Sequence, residues 1–133
     1  MKKFAITIYT AVLLVGCASD ESLLSKKQEC FDYRSGLEEE HNSDYLGSDL
    51  ATSTTIMKVF YSPKQDSCLY VMETSSRNTN DPGANGSMEA LGLYDHLTGD
   101  RLYLAEGCDG ELHCGFSTQE ARNKFYEELK KYE

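Results

Sequence analysis

Four cysteines in the body of the chain are the residues with the most definite chemistry. In an oxidising compartment, an even number of thiols in a small chain is typical of paired disulfides. Of the three possible pairings we favour the one that joins Cys108 to Cys114 around a short loop and leaves Cys30 with Cys68. In the loop-entropy model the short bridge contributes about 2 kcal/mol and the long bridge about 4 kcal/mol. We therefore expect the long bridge to matter more for the stability of the fold.

A metal site is the competing interpretation of the same residues. His113 adjoins Cys114, and two further histidines, His41 and His96, lie elsewhere in the chain. The five-residue gap between Cys108 and Cys114 is not the two-residue gap typical of zinc-binding loops. An oxidising compartment also favours disulfides over thiolate ligands. The sequence therefore predicts no metal and no cofactor.

The fifth cysteine, Cys17, follows a segment that has the three parts of an export signal. Lys2 and Lys3 form a basic start, residues 4–15 are apolar except for two threonines, and Gly16 is a small residue at the end. An apolar run of about 12 residues is too short to span a bilayer, which takes a helix of about 20. Residues 1–16 are therefore predicted to be a cleaved signal peptide.

The order Leu14-Val15-Gly16-Cys17 resembles the lipobox of bacterial lipoproteins, and the resemblance covers residues 1–17. It implies that Cys17 is acylated, for example with palmitate, and that residues 17–22 form a lipidated tether. One acyl chain holds a protein only marginally, at about 0.8 kcal/mol per buried methylene, but the two or three chains of this family hold it permanently. In this family aspartate after the cysteine favours the inner membrane. Ala18 therefore implies the outer membrane, facing the periplasm.

The composition of the chain is acidic, with a formal charge of −9, and loss of Lys2 and Lys3 makes the mature part more acidic still. Such a surface repels nucleic acid and anionic head groups. The paired basic residues at 26–27 and 130–131 are surrounded by acids. We therefore predict no nucleic-acid partner and membrane attachment through the lipid. Residues 23–133 have the length of a single globular domain.

Two segments have helical patterns. Residues 20–35 carry apolar side chains on one broad side, and Gly36 is expected to end that helix. The second helix begins with a capping box from Ser117 to Glu120. Its apolar stripe, which we expect to cover a sheet, contains Ala121, Phe125, Leu129 and Tyr132.

Two β-hairpins are predicted between these helices. Residues 54–61 and 68–74 are rich in β-branched and aromatic side chains and flank a turn at Pro63. Both faces of these strands are apolar, with Ile56 and Phe60 expected opposite Met57, Val59 and Tyr61, so this hairpin should be central. Residues 91–95 and 101–105 form the second hairpin, whose predicted core residues are Leu91, Leu93, Leu102 and Leu104. The fold class is α+β, with a small antiparallel sheet of about four strands stapled by disulfides.

Residues 75–87 are rich in turn formers and predict a long exposed loop. Within and after it, four residues match positions 1, 3, 6 and 12 of an EF-hand calcium loop: Asn78, Asn80, Gly83 and Glu89. Position 5 is Pro82, which has no side-chain oxygen, and flanking helices are missing. We therefore predict no calcium site.

No combination of residues indicates catalysis. The three histidines are scattered, no Gly-x-Ser-x-Gly motif occurs, and the adjacent acids of residues 38–40 would not face one another. One enzymatic alternative stays open, a glycosidase whose two catalytic carboxylates are brought together only when the chain folds. Residues 60–68 look like segments of small uncharacterised secreted bacterial proteins. This likeness implies a location outside the cytosol and does not imply an activity.

The predicted function is that of a non-enzymatic, membrane-anchored envelope lipoprotein that binds an unknown envelope protein. One alternative is an inhibitor of a cationic cell-wall hydrolase such as lysozyme, toward which an acidic body would be steered. Another is a surface-exclusion factor or an accessory subunit of an envelope complex.

Overall fold

The computed structural model describes residues 18–47, 49–79, 86–110 and 115–133, with backbone alone at residues 18–20. Three helices and five strands occur in this part of the chain. In order they are α1 (Ala18–Asp32), α2 (Arg34–His41), β1 (Ser43–Leu46), β2 (Leu50–Ser62), β3 (Ser67–Asn78), β4 (Ser87–Asp95), β5 (Arg101–Asp109) and α3 (Thr118–Leu129).

The five strands form one antiparallel sheet in the order β1-β2-β3-β4-β5. Each strand pairs with the next along the chain, and β3 is the centre. Helix α3 packs on β4 and β5, whereas α1 and α2 pack on β2 at the opposite face. The predicted α+β class, with an antiparallel sheet between terminal helices, is confirmed. The predicted two hairpins are β2–β3 and β4–β5, to which β1 adds a fifth strand.

Two hydrophobic cores lie on the two faces of this sheet. The core under α3 is the larger, and its buried members are Leu69, Val71, Leu91, Leu93, Ala105, Ala121, Phe125 and Leu129. The core under α1 and α2 is built on Leu37, Ile56 and Tyr70. Since β2 and β3 contribute apolar side chains to both cores, the expectation that their hairpin lies inside the sheet is confirmed.

A β-bulge in β2 changes which side chains share a face. Ile56 pairs with Met72 and Lys58 pairs with Val71, so Met57 is an extra residue in the strand. A bulge interrupts the two-residue alternation of side chains. As a result Ile56 and Val59 pack in the same core, and Phe60 packs in the opposite one. The predicted grouping of Ile56 with Phe60 was therefore wrong.

A second irregularity affects β5. Leu93 pairs with Tyr103 and Tyr94 with Arg101, which leaves Leu102 as the extra residue. The core residues Leu91 and Leu93 are confirmed. Leu102 is partly buried and packs against the same core, whereas Leu104, opposite Gly92, belongs to neither core, so the prediction of Leu104 as a core residue was wrong.

The helices at the N-terminal side differ from the prediction at both ends. Helix α1 begins at Ala18, inside the predicted tether, and Gly36 lies within α2 instead of ending a helix. Glycine inside a helix costs about 1 kcal/mol, which burial can offset. The adjacent Leu37 is 3% exposed and packs with Ile56 and Tyr70, so tertiary packing holds α2 together across the glycine.

Helix α3 follows the prediction closely. The Ser117 hydroxyl accepts a hydrogen bond from the Glu120 amide, and the Glu120 carboxylate accepts one from the Ser117 amide, as a capping box requires. The predicted stripe is confirmed: three of its residues are buried, and Tyr132 packs against the same core. At the end of the helix the Lys131 ammonium forms an ion pair with Glu128.

One of the two predicted disulfides is observed directly. Cys30 in α1 is bonded to Cys68 in β3, with 5.3 Å between the Cα atoms. Cys108 is also disulfide-bonded, but its predicted partner, Cys114, lies outside the described residues. The confirmed bridge joins the first helix to the central strand of the sheet.

Candidate functional site

The sheet extends beyond both cores at one end, which we call the open end. It comprises β1, residues 50–55 of β2, residues 73–78 of β3 and residues 87–90 of β4. None of these residues belongs to either hydrophobic core. Apart from Glu73 and Glu89, which contact α3, no side chain of the open end forms an ion pair with a helix in the described part of the chain, so most of this surface is open to a partner.

Small hydroxyl side chains fill the middle of the open end. Thr52 lies 3.1 Å from Ser76 between hydroxyl oxygens, and Thr54 lies 3.3 Å from Thr74. Cross-strand hydroxyl pairs of this kind stabilise a sheet without needing a core above it. The local sequence thus keeps the strands paired where no hydrophobic cover from the described residues is present.

A shallow groove of about 370 Å³ lies at the open end. Its lining residues come from four strands: Asp44, Tyr45, Leu46, Ala51, Thr52, Ser53, Ser75, Ser76, Arg77 and Ser87. Asp44 lies on β1 and Arg77 on β3, two strands away and two residues further along, so their backbones are about 12 Å apart. The groove therefore offers a carboxylate and a guanidinium on opposite sides of a floor of small side chains.

The rim of this groove includes two exposed apolar residues, Tyr45 and Leu46. Leu46 is 79% exposed, and Leu50, outside the lining, is exposed at the start of β2. Strand β1 is at the edge of the sheet, and an edge strand carries backbone groups that can pair with another chain. Exposed apolar side chains next to an edge strand are the features that protein partners use.

Two acidic residues of the open end, Glu73 and Glu89, are paired with helix α3. Arg122 of α3 places Nε 2.7 Å from Glu89 Oε1 and Nη2 3.1 Å from Glu73 Oε1. The hydrogen bond to Glu89 is the main reason that the pKa of Arg122 is raised above its ordinary value. Glu89 and Glu73 are thus committed to a helix-to-sheet contact rather than to a reaction.

That contact also bears on the calcium-loop match. Glu89, the residue at position 12, is paired with Arg122, and Asn78 lies at the end of β3. Asn80, Pro82 and Gly83 lie outside the described residues. Within the part of the chain that the structure describes, no group of three or more His, Cys, Asp or Glu side chains could hold a metal ion.

Two of the three histidines pack against tyrosines. The rings of His41 and Tyr70 are stacked with centroids 5.5 Å apart, and Tyr70 stacks in turn on Tyr94 at 5.2 Å. Burial, helped by Tyr94 and Glu40, raises the pKa of the Tyr70 phenol above its ordinary value. The ring centre of His96 lies 4.5 Å from that of Tyr33. These histidines extend the aromatic packing under α2, and His113 lies outside the described residues.

The acidic run of residues 38–40 has no convergent geometry. Glu38 forms an ion pair with Arg34, whose Nε is 2.6 Å from its carboxylate, and Glu40 is exposed beside His41. The hydroxyl of Ser67 and the amides of Leu97 and Thr98 donate to the buried carboxylate of Asp95. This carboxylate therefore holds the turn between β4 and β5.

The predicted lipid attachment site, Cys17, lies outside the described residues. Among the helices that the structure describes, none has the length and apolar character to cross a membrane. The groove at the open end was not predicted at all. Its residues carry no motif, because serine, threonine and a single arginine on different strands become neighbours only when the strands pair.

Comparison with known proteins identifies no relative: no protein-family model, no curated protein and no solved structure matches the chain. The class that the fold defines is therefore descriptive, a small disulfide-bonded α+β domain with an antiparallel five-stranded sheet.

Proposed function

We propose that this chain is a membrane-anchored envelope lipoprotein whose folded domain binds a partner protein and catalyses no reaction. The observation that carries the binding role is the groove at the open end, with exposed Tyr45 and Leu46 on its rim. The anchoring role is supported by the order of residues from Lys2 to Cys17. The outer membrane, facing the periplasm, is the proposed location, with Ala18 after the acylated cysteine.

The chemistry of the groove favours a protein over a small polar ligand. The groove is open and shallow, whereas small-molecule sites are concave and bury most of their ligand. An apolar rim around hydroxyl groups fits an extended polypeptide, whose backbone can use both the serine hydroxyls and the edge of β1. Asp44 and Arg77 can then select charges on that segment.

Anchoring is tested by the intact mass of the protein extracted from membranes with detergent. We expect a chain that starts at Cys17 and carries acyl groups. The matched control is Cys17→Ser, which should keep residues 1–16 and lose the lipid mass. Recovery of the unmodified protein with Met1, in the soluble fraction, would contradict the anchoring proposal.

Binding is tested by placing a photo-crosslinking amino acid at position 46 in living cells. Leu97, which is 68% exposed on the turn between β4 and β5, is the matched control position. We expect position 46 to label one protein that position 97 does not label. That protein, once purified, should bind the wild-type domain and not a Ser53→Tyr variant, in which the new ring fills the groove. Equal labelling from both positions, or equal affinity for both proteins, would refute the assignment of the groove.

A further inference from the structure

Helix α1 carries two large apolar side chains on its outward side. Leu24 is 69% exposed and Phe31 is 62% exposed. They are seven residues apart, which is close to two helical turns, so both lie on the same side of α1. Neither contributes to a core, although the protein has two cores available.

Contacts on the inward side of α1 fix this orientation. Cys30, which is 1% exposed, is bonded to Cys68 of the central strand. The Lys26 ammonium forms an ion pair with Asp66 and lies 5.2 Å from the ring centre of Tyr61. Because covalent and ionic contacts hold one side of the helix on the sheet, Leu24 and Phe31 cannot turn inward without breaking them.

The position of α1 in the chain indicates what covers its outward side. The helix begins at Ala18, directly after the predicted lipid attachment site. At 1.5 Å per residue, Leu24 lies about 9 Å and Phe31 about 20 Å along the axis from that start. A lipid on Cys17 would therefore keep this side of α1 within reach of the bilayer surface.

We propose that the side of α1 formed by Leu24, Lys27 and Phe31 rests on the bilayer that holds the lipid anchor. The two apolar side chains enter the boundary between head groups and acyl chains, as in interfacial helices. Lys27 is exposed on the same side, where its stem can lie along the lipid while its ammonium reaches the phosphates. Because the chain is acidic overall, the bilayer surface that fits best is zwitterionic.

This inference rests on the proposed lipid anchoring. The chain contains no tryptophan, so a single Phe31→Trp substitution introduces a fluorescent reporter at the contact. The matched control is Tyr126→Trp, an exposed aromatic position on α3 across the sheet. Both variants, expressed from the full-length sequence with residues 1–16 and extracted from membranes, would be reconstituted into phosphatidylcholine–phosphatidylethanolamine vesicles, with and without brominated acyl chains.

We expect reconstitution to shift the emission of the Phe31→Trp variant to shorter wavelength and brominated lipid to quench most of it. The emission of the Tyr126→Trp variant should be unchanged. A double variant, with Leu24→Ser and Phe31→Ser together, should stay anchored but expose the α1 amides to faster hydrogen exchange at the vesicle surface.

The outcomes separate this inference from the one on which it rests. A protein that does not float with vesicles is not acylated, and this result would overturn both proposals. A Phe31→Trp protein that floats while its emission stays unquenched would overturn the docking of α1 alone. Shielding of the same reporter in native membranes but not in pure lipid vesicles would show that a protein covers this side, and would also overturn it.

Discussion

The two ends of the sheet differ in what holds them. At the closed end, strands β2 to β5 lie between α3 on one face and the disulfide-bonded α1 and α2 on the other. At the open end the same sheet continues with serine and threonine pairs, and no core residue of the described chain stands above them. Stability is therefore concentrated at one end, and the surface available for binding is concentrated at the other.

The largest change in stability is expected when the central side chain of the α3 core is removed. Phe125 is 1% exposed, and Phe125→Ala should lower the free energy of unfolding by about 4 kcal/mol, because a large cavity would remain. Glu127→Ala, an exposed position on the same helix, should change it by less than about 0.5 kcal/mol. Urea denaturation of both variants measures the difference, and similar midpoints would show that this core is not the main source of stability.

The disulfide gives the next largest effect. The bond between Cys30 and Cys68 closes a segment with a sequence separation of 38. Replacing both cysteines by serine should cost about 3 to 4 kcal/mol, because the unfolded chain regains conformational freedom. Thermal unfolding of the double variant should show a lower midpoint than the wild type without reductant. Excess reductant should lower the midpoint of the wild type more than the midpoint of the double variant. Equal shifts would show that the bridge does not stabilise the fold.

Two glycines, Gly107 in β5 and Gly36 in α2, make a matched pair. A Cβ on Gly107 would lie 2.5 Å from the Ser117 carbonyl oxygen, where β5 meets the start of α3, whereas a Cβ on Gly36 would meet nothing within 4 Å. We expect Gly107→Ala to destabilise by about 2 kcal/mol. Gly36→Ala should stabilise by about 0.5 to 1 kcal/mol, since alanine favours a helix. In urea denaturation the two substitutions should change the free energy of unfolding in opposite directions. No change for Gly107→Ala would refute the close approach of Gly107 to the Ser117 backbone.

The cap of α3 gives a smaller, pH-dependent effect. Hydrogen bonds from the Ser117 amide and hydroxyl lower the pKa of Glu120 below its ordinary value. A carboxylate with a lowered pKa stabilises the fold above its unfolded pKa, and this contribution is lost as the pH falls through the folded pKa. Ser117→Ala should cost about 1 kcal/mol and bring the pKa of Glu120 back toward its ordinary value. An NMR titration of the Glu120 carboxyl checks this, and an unchanged pKa would contradict the role of the serine.

The smallest effect is expected at the open end. Ser53 lines the groove and belongs to neither core, so Ser53→Ala should change the free energy of unfolding by less than about 0.5 kcal/mol. The buried position for comparison is Ser62, whose hydroxyl donates to the Tyr132 carbonyl at 2.6 Å. Ser62→Ala should cost about 1 kcal/mol. Equal losses at both serines, measured by urea denaturation, would remove the distinction between the two ends.

Local patterns in the chain were enough for some elements and not for others. The capping box at Ser117 and Glu120 and the three-to-four-residue spacing of the α3 stripe predicted that helix correctly, because these signals involve neighbours in sequence. Strand β1 has four exposed residues and no alternation of burial, so nothing in residues 43–46 predicted it. It forms because β2 is long enough for its residues 51–54 to pair with residues 43–46.

The faces of β2 and β5 show the same limit. Alternation of apolar residues predicted the strands, but the bulges at Met57 and Leu102 placed Val59 and Leu102 on faces that a regular strand would not give them. A bulge depends on what the neighbouring strand requires, which a single strand does not encode.

The amino-acid order alone was sufficient for the acidic charge and helix α3. It favoured the pairing of Cys30 with Cys68 among three possible pairings, and it carries the prediction of an export signal. Packing in three dimensions decided the rest: the continuation of α2 through Gly36, the shifted faces, the outward side of α1 and the groove. The physical reason is range. Caps, charges and helical periodicity act between residues a few positions apart, whereas a groove lined by four strands exists only after hydrogen bonding has set their register.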